Sequence, residues 1–138
     1  MTTAHKRKYE VTSDNWRDDA ISQVAMRLGH LAENDQVEIQ VAIKTDGGAK
    51  LTLTTCGIGV EQAVLECDIP LKDADALLKR CKPPVDEMMR HLVLIDGFTW
   101  QVDVYRGTRR GEVTARLEVN DPETWPDPLP PWIGSELP

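Results

Sequence analysis

"VEIQVAIKTDGGAKLTLT", residues 37–54, decides how the rest of the chain is read. Val37, Ile39, Val41 and Ile43 fall on one side of an extended segment, with Glu38, Gln40 and Ala42 on the other. Alternation with period two marks a strand with one buried face. Asp46, Gly47 and Gly48 supply residues that accept a positive φ, and "LTLT" (51–54) resumes the same alternation. The stretch is therefore predicted to be an antiparallel hairpin.

The pattern recurs outward from it. "AVLECDI" (63–69), "TWQVDVY" (99–105) and "EVTARLEV" (112–119) each set an apolar row against a polar one. "EMMRHLVLI" (87–95) reads as a strand joined to the next by Asp96-Gly97, and "AHKRKYEV" (4–11) as a strand carrying Lys6, Arg7 and Lys8. Helical spacing is confined to two places. "PLKDADALLKRCKPP" (70–84) has Pro70 near its start, Asp73 in its first turn and Pro83-Pro84 as a stop; Leu71, Ala74, Leu78 and Cys81 form its stripe. "NWRDDAISQVAMRLGHL" (15–31) is apolar at 16, 20, 24, 28 and 31, with Ser13 or Asp14 as N-cap. The tail is an irregular strap with five prolines within residues 122–131, pinned by Trp125 and Trp132. Periodicity alone thus predicts about seven antiparallel strands and two helices.

The bulk numbers exclude several classes. A chain of 138 residues is expected to be one domain with one core. Its net charge of −7 argues against a general nucleic-acid binder, which needs a surplus of Lys and Arg on one face. The longest apolar run, Leu92–Ile95, has four residues, so no membrane span is expected, and the first residues lack the apolar stretch of a secretory signal. Cys56, Cys67 and Cys81 are an odd set without a CxxC pair; they read as small core residues in a reducing cytoplasm. Gly57-Ile58-Gly59 is no phosphate loop, since it joins two strands and precedes no helix or Lys-Ser/Thr pair. His5, His30 and His91 lack metal-binding spacing, and no Ser or Cys has a nucleophile's context. "RGTRRG" (106–111) reads as a solvated basic hairpin tip.

What stands out is the polar face of the strands. Lys6, Lys8, Arg90 and Arg116 oppose Glu38, Glu66, Asp68, Asp103 and Glu118. An open sheet with one wet face would carry such a set. So would a barrel lined by it, with its apolar outside covered by helices.

"LTLTTCGIGVEQAVLECDIPLKDADALLKRC", "GFTWQVDVYRG", "GEVTARLEV", "LPPWIGSEL" and, near the start, "RKYEVTSDNW" resemble the CYTH domain, the triphosphate tunnel metalloenzyme superfamily. The segments keep the family's order from residue 4 to residue 137; 63–81 and 98–136 are the specific ones, and 20–36 match poorly and look shortened, the helical pattern competing there with the short strand the resemblance implies. The resemblance implies an α+β fold: an eight-stranded antiparallel barrel with two or three flanking helices, one domain over 1–138 with the Pro-rich strap at about 121–138. In active members, inward Lys and Arg hold a triphosphate or nucleotide, and inward Glu and Asp bind magnesium or manganese. Cations offset the polyanion, and the metal polarises phosphoryl oxygens.

Fold does not carry function, so each position counts. Where the family's first strand reads Glu-x-Glu-x-Lys, this chain has Ala4, Lys6 and Lys8. The hairpin Arg-x-Arg is Glu38 and Gln40, and the Lys ending the next strand is Thr54. The Glu-x-Glu strand holds Val64 and Glu66, followed by Asp68; the Lys-x-Arg pair is Met88 and Arg90. Trp-Glu-x-Asp is Trp100, Gln101 and Asp103, and the last Glu-x-Glu is Arg116 and Glu118. Residues that frame the fold remain, whereas most that do its chemistry do not.

The leading expectation is a catalytically degenerate CYTH-like tunnel protein. It would be a polyphosphate-type or nucleotide-type anion-binding or interaction module without a cofactor, with Lys6, Lys8, Arg90 and Arg116 as the anion-binding residues. Its swapped charges would pair internally where no ligand sits, since unpaired ions in a narrow lumen are costly. The alternative is a metal-dependent inorganic or organic triphosphatase, or nucleotidyl cyclase, with Mg or Mn on Glu66, Asp103 and Glu118. A third reading is a protein-partner module or homodimer using Trp125, Trp132 and the strap.

Overall fold

In a computed structural model, which describes residues 2–55, 62–121 and 123–137, the hydrophobic alternation becomes strands almost everywhere. They are β1 (Thr2–Val11), β2 (Ala20–Glu33), β3 (Val37–Lys44), β4 (Ala49–Thr55), β5 (Gln62–Asp68), β6 (Lys82–Ile95), β7 (Phe98–Arg106), β8 (Val113–Val119) and β9 (Ile133–Leu137). One α-helix, α1 (Leu71–Leu78), joins β5 to β6, and single 3-10 turns cover Asn15–Asp19 and Gly107–Arg109. Cys56 and Gly57-Ile58-Gly59 lie outside the described residues.

All nine strands form one antiparallel sheet, in the order β5-β4-β3-β2-β6-β7-β8-β1-β9. The start of β1 also pairs with β5, through Thr2↔Val64, Thr3↔Ala63 and Ala4↔Gln62. That contact is far shorter than the nine-residue β6–β7 ladder. The expected eight-stranded barrel is therefore a nine-stranded sheet whose ends meet along a short seam, not a fully laced barrel. The expected two or three helices reduce, among the described residues, to α1 and the two 3-10 turns.

The helix expected over 15–31 is the largest departure. After one 3-10 turn, which buries Trp16, the segment is β2, laddered to β3 on one side and β6 on the other. Val24, Met26 and Leu28 alternate at period two, Val24 and Leu28 also fit the helical stripe, and two long ladders outweigh local propensity. α1 ends at Leu78, short of the expected stop at Pro83-Pro84, which lies within β6. The strap is irregular only as far as Ile133, where β9 begins. Cys81 is buried as expected, whereas Cys67 is exposed.

Turn chemistry closes the hairpins. Asp96 and Gly97 both take positive φ, 51° and 82°, in the two-residue β6–β7 turn. Gly47, at φ 96°, turns β3 into β4.

The apolar core is split by the sheet. On its outer face Tyr9, Trp16, Val93, Trp100, Val102, Ala115, Leu117 and Trp132 form one cluster under the strap, with Trp100 edge-on to Tyr9 (5.8 Å) and Trp132 (5.7 Å). A second outer cluster packs α1, through Ala74 and Leu78, onto Val41, Ile43 and Ala49. The third, Met26, Met88 and Tyr105 with Leu28 and Ala42, belongs to the inner face, since Met88 alternates with His91's outer row and shares its row with Arg90.

Gly29 shows how tightly α1 is seated. A Cβ there would stand 2.6 Å from Cys81 Sγ and 2.8 Å from Leu78 Cδ1. Gly29→Ala is expected to lose about 1–3 kcal/mol, measured as a lower denaturant midpoint with an unchanged slope.

Candidate functional site

The inner face gathers the charged residues that alternate with the outer cores. Register places Lys8 opposite Arg116 and Lys6 opposite Glu118. It places Arg116 opposite Gln101 and Asp103 opposite Thr114. Glu38 and Gln40 meet Thr54 and Thr52, and Glu66 meets Thr52 from the other side. Lys6, Lys8, Glu38 and Arg116, with Gln40 and Thr54, line a cavity of about 280 Å³ that extends to Arg7 and to Glu136 and Leu137 of β9.

The anion-binding candidates are not equivalent. Arg90 gives Nε to Asp103 Oδ1 at 2.8 Å and a terminal nitrogen to Oδ2 at 2.9 Å, a bidentate pair with both side chains largely buried. Burial pushes the Arg90 pKa down, but its bonds to Asp103 outweigh this and leave it raised. Arg116 donates only to the neutral Gln101 Oε1, at 2.6 and 3.2 Å. Burial, then the neighbouring Arg90, pull its pKa down. Lys6 is lowered likewise, by burial and then by Arg116, against the weaker pull of Glu118, Glu66 and Glu38. Among the described residues no carboxylate lies within 4 Å of the charged nitrogens of Lys6, Lys8 or Arg116. The internal pairing expected of the swapped charges is thus missing where Lys6 and Arg116 stand.

The carboxylates are engaged elsewhere. Glu66 lies 3.6 Å from Lys50. Asp103 has both oxygens on Arg90. Glu118 is exposed, and so is Asp68. Glu38 accepts from Gln40 and sits 3.3 Å from His30 Nδ1. His30 Nε2 is 3.9 Å from Asp86, which Arg109 reaches at 3.2 Å. Among the described residues no three His, Cys, Asp or Glu side chains converge to hold a metal ion.

Sequence reasoning missed two residues here. His30 was obscured by the helical reading of its segment. Arg109 is no solvated tip: it stacks over the Tyr105 ring at 3.8 Å and bridges Asp86 and Glu112. An aromatic on the inner row just before a basic turn is the signal that could have placed it.

No family model matches the chain. The inorganic triphosphatase of Acetivibrio thermocellus is 31% identical over 133 residues, covering 96% of this chain and 83% of the relative. Among solved structures, the inorganic triphosphatase NE1496 superposes with a TM-score of 0.62 at 22% identity, over 99% of this chain and 87% of that one. HpAC1 from Hippeastrum, described as an adenylyl cyclase candidate with a dominant triphosphatase activity, gives 0.64 at 9% identity, over 88% and 81%. The chain belongs to the CYTH, or triphosphate tunnel, superfamily. Among the described residues no helix is long and apolar enough to cross a membrane.

Two outcomes follow from the paired charges. Removing one partner of a buried pair strands the other, so Asp103→Ala is expected to cost about 3–5 kcal/mol in denaturant unfolding. The His30–Glu38 contact carries a pH signature. Glu38 first, against burial, raises the His30 pKa from 6.5, and His30 first, against burial, lowers that of Glu38 from 4.5. A raised histidine stabilises fully below 6.5 and loses this as pH rises through its folded pKa; a lowered carboxylate stabilises fully above 4.5 and loses this as pH falls. Wild-type stability therefore declines above 6.5, and His30→Gln flattens that limb in denaturant midpoints taken across pH.

Proposed function

We propose that this chain binds a phosphate-type polyanion in the cavity beside Lys6, Lys8 and Arg116 and does not hydrolyse it: a degenerate tunnel protein. The observation that carries the reading is that, among the described residues, these cations line the cavity with no carboxylate within 4 Å of their charged nitrogens, although Glu38 and Glu136 share the lining. Burial and then Arg116 lower the Lys6 pKa, burial and then Arg90 lower that of Arg116, and an anion entering beside them stabilises their charged forms. The relative's name, inorganic triphosphatase, supports triphosphate-type chemistry for the ligand. Closure of eight strands by the β1–β5 seam is part of the same reading, since it would wall the cavity on all sides.

The residues present do not suit a divalent metal. Lys6 and Arg116 lie on the inner face with repelling charge, and Asp103 spends both oxygens on Arg90. Of the suggested metal set, Glu66 has Lys50 beside it and Glu118 stands opposite Lys6. The enzyme reading keeps one point in its favour: all three carboxylates are on the inner rows, and the relative is named for hydrolysis.

Calorimetric titration with pyrophosphate, tripolyphosphate and ATP, each with and without magnesium, separates the readings. Binding is expected without metal. Lys6→Gln and Arg116→Gln are each expected to weaken it about 10–100-fold, the worth of one hydrogen bond to a charged group. Binding that requires metal, with phosphate release from tripolyphosphate, would overturn the proposal in favour of the triphosphatase.

A further inference from the structure

Lys6, Lys8 and Arg116 are gathered at the 280 Å³ cavity. The next inner-row cations are Arg90 and, opposite Met26 on β3, Lys44, which lines a separate cavity. Arg90 comes next, on the facing pair of β6 and β7, and its guanidinium is closed on Asp103 by two bonds. Then come Met88 and Tyr105, paired across β6 and β7, and Met26, paired with Met88 across β2 and β6. These three side chains are at most 5% exposed and pack with Leu28 and Ala42. Tyr105 follows Asp103 by two residues on the inner row of β7, which sets it one step along from the Arg90–Asp103 pair. Its far side is covered by Arg109.

A separate cavity of about 420 Å³, lined by Leu71 and Asp75 of α1 and by Arg27 and Ile43 of the outer rows, touches Met26 and Met88, and it shares no lining residue with the cationic cavity. Met26 and Met88 themselves are buried on the inner rows. They present no donor to a phosphoryl oxygen, and an oxyanion pressed among them would lose its hydration without a replacement.

We propose that Met26, Met88 and Tyr105 form a plug that makes the lumen blind, so that the ligand is a short, compact oxyanion of orthophosphate or pyrophosphate size and longer polyphosphate chains gain nothing. Met88 and Met26 are then specificity-determining residues. This rests on the anion-binding reading above and deepens it by setting the length of the ligand.

The test is a metal-free calorimetric series on the full chain with orthophosphate, pyrophosphate and tripolyphosphate. Affinity is expected to rise from orthophosphate to pyrophosphate and then level off, with tripolyphosphate within about twofold of pyrophosphate after statistical correction for its ends. Methyl NMR of the methionines adds an independent readout: Met26 and Met88 signals should stay in place when tripolyphosphate is bound. A tenfold or greater gain from pyrophosphate to tripolyphosphate, or displaced methionine signals, would overturn the plug and leave the anion site standing. Absence of binding by all three would remove the anion site itself, and the plug's role with it. In Met88→Ala the levelling-off should give way to a preference for the longer chain; if that variant does not fold, the wild-type series alone decides.

Discussion

The bidentate bond between Arg90 and Asp103 is the constraint around which the inner face is organised. A guanidinium this deep is tolerable only with its donors occupied, and a carboxylate opposite it on the next strand occupies two of them. The pair locks the register of β6 on β7, which in turn fixes Met88 against Tyr105. It also withdraws one cation and one carboxylate from any ligand. Lys6, Lys8 and Arg116, which among the described residues have no carboxylate within 4 Å, are gathered on the β1–β8 side.

The sheet separates two kinds of energetics. Its outer face is a conventional core, one part under the tryptophan-rich strap and the other under α1. Burial of those side chains is what pays for ordering the chain. The inner face adds one apolar cluster, Met26, Met88 and Tyr105, and holds the Arg90–Asp103 pair together with Lys6, Glu38 and Arg116.

Legibility in the sequence follows the same division. β3, β4, β7 and β8 were readable because each has one apolar and one polar row, and the hairpin turns announced themselves through Gly47 and Asp96-Gly97. β2 was not, because its apolar residues satisfy two periods at once and only its neighbours β3 and β6 decide between them. β9 hid among prolines; five residues pairing with β1 leave too short a pattern to see. At the site, alternation put Lys6, Lys8, Arg90, Glu66, Asp103, Arg116 and Glu118 on one face of their strands. It could not say that Arg90 would be consumed by Asp103 while Arg116 found only Gln101, because partner choice depends on register between strands distant in sequence.

β1 has a demanding place in this topology. Residues 2–4 pair with β5, residues 5–10 with β8, and Lys8, Tyr9 and Val11 with β9. Every one of those partners lies more than fifty residues downstream, and two of them more than a hundred. On a ribosome the first strand must therefore wait, with its backbone donors unspent, until nearly all the described chain has emerged. Contacts this non-local place the protein among slow folders, on the scale of milliseconds to seconds. The charged side chains of Lys6, Arg7 and Lys8 then acquire a second use: they keep an unpaired edge soluble and discourage it from adding to the wrong sheet while it waits.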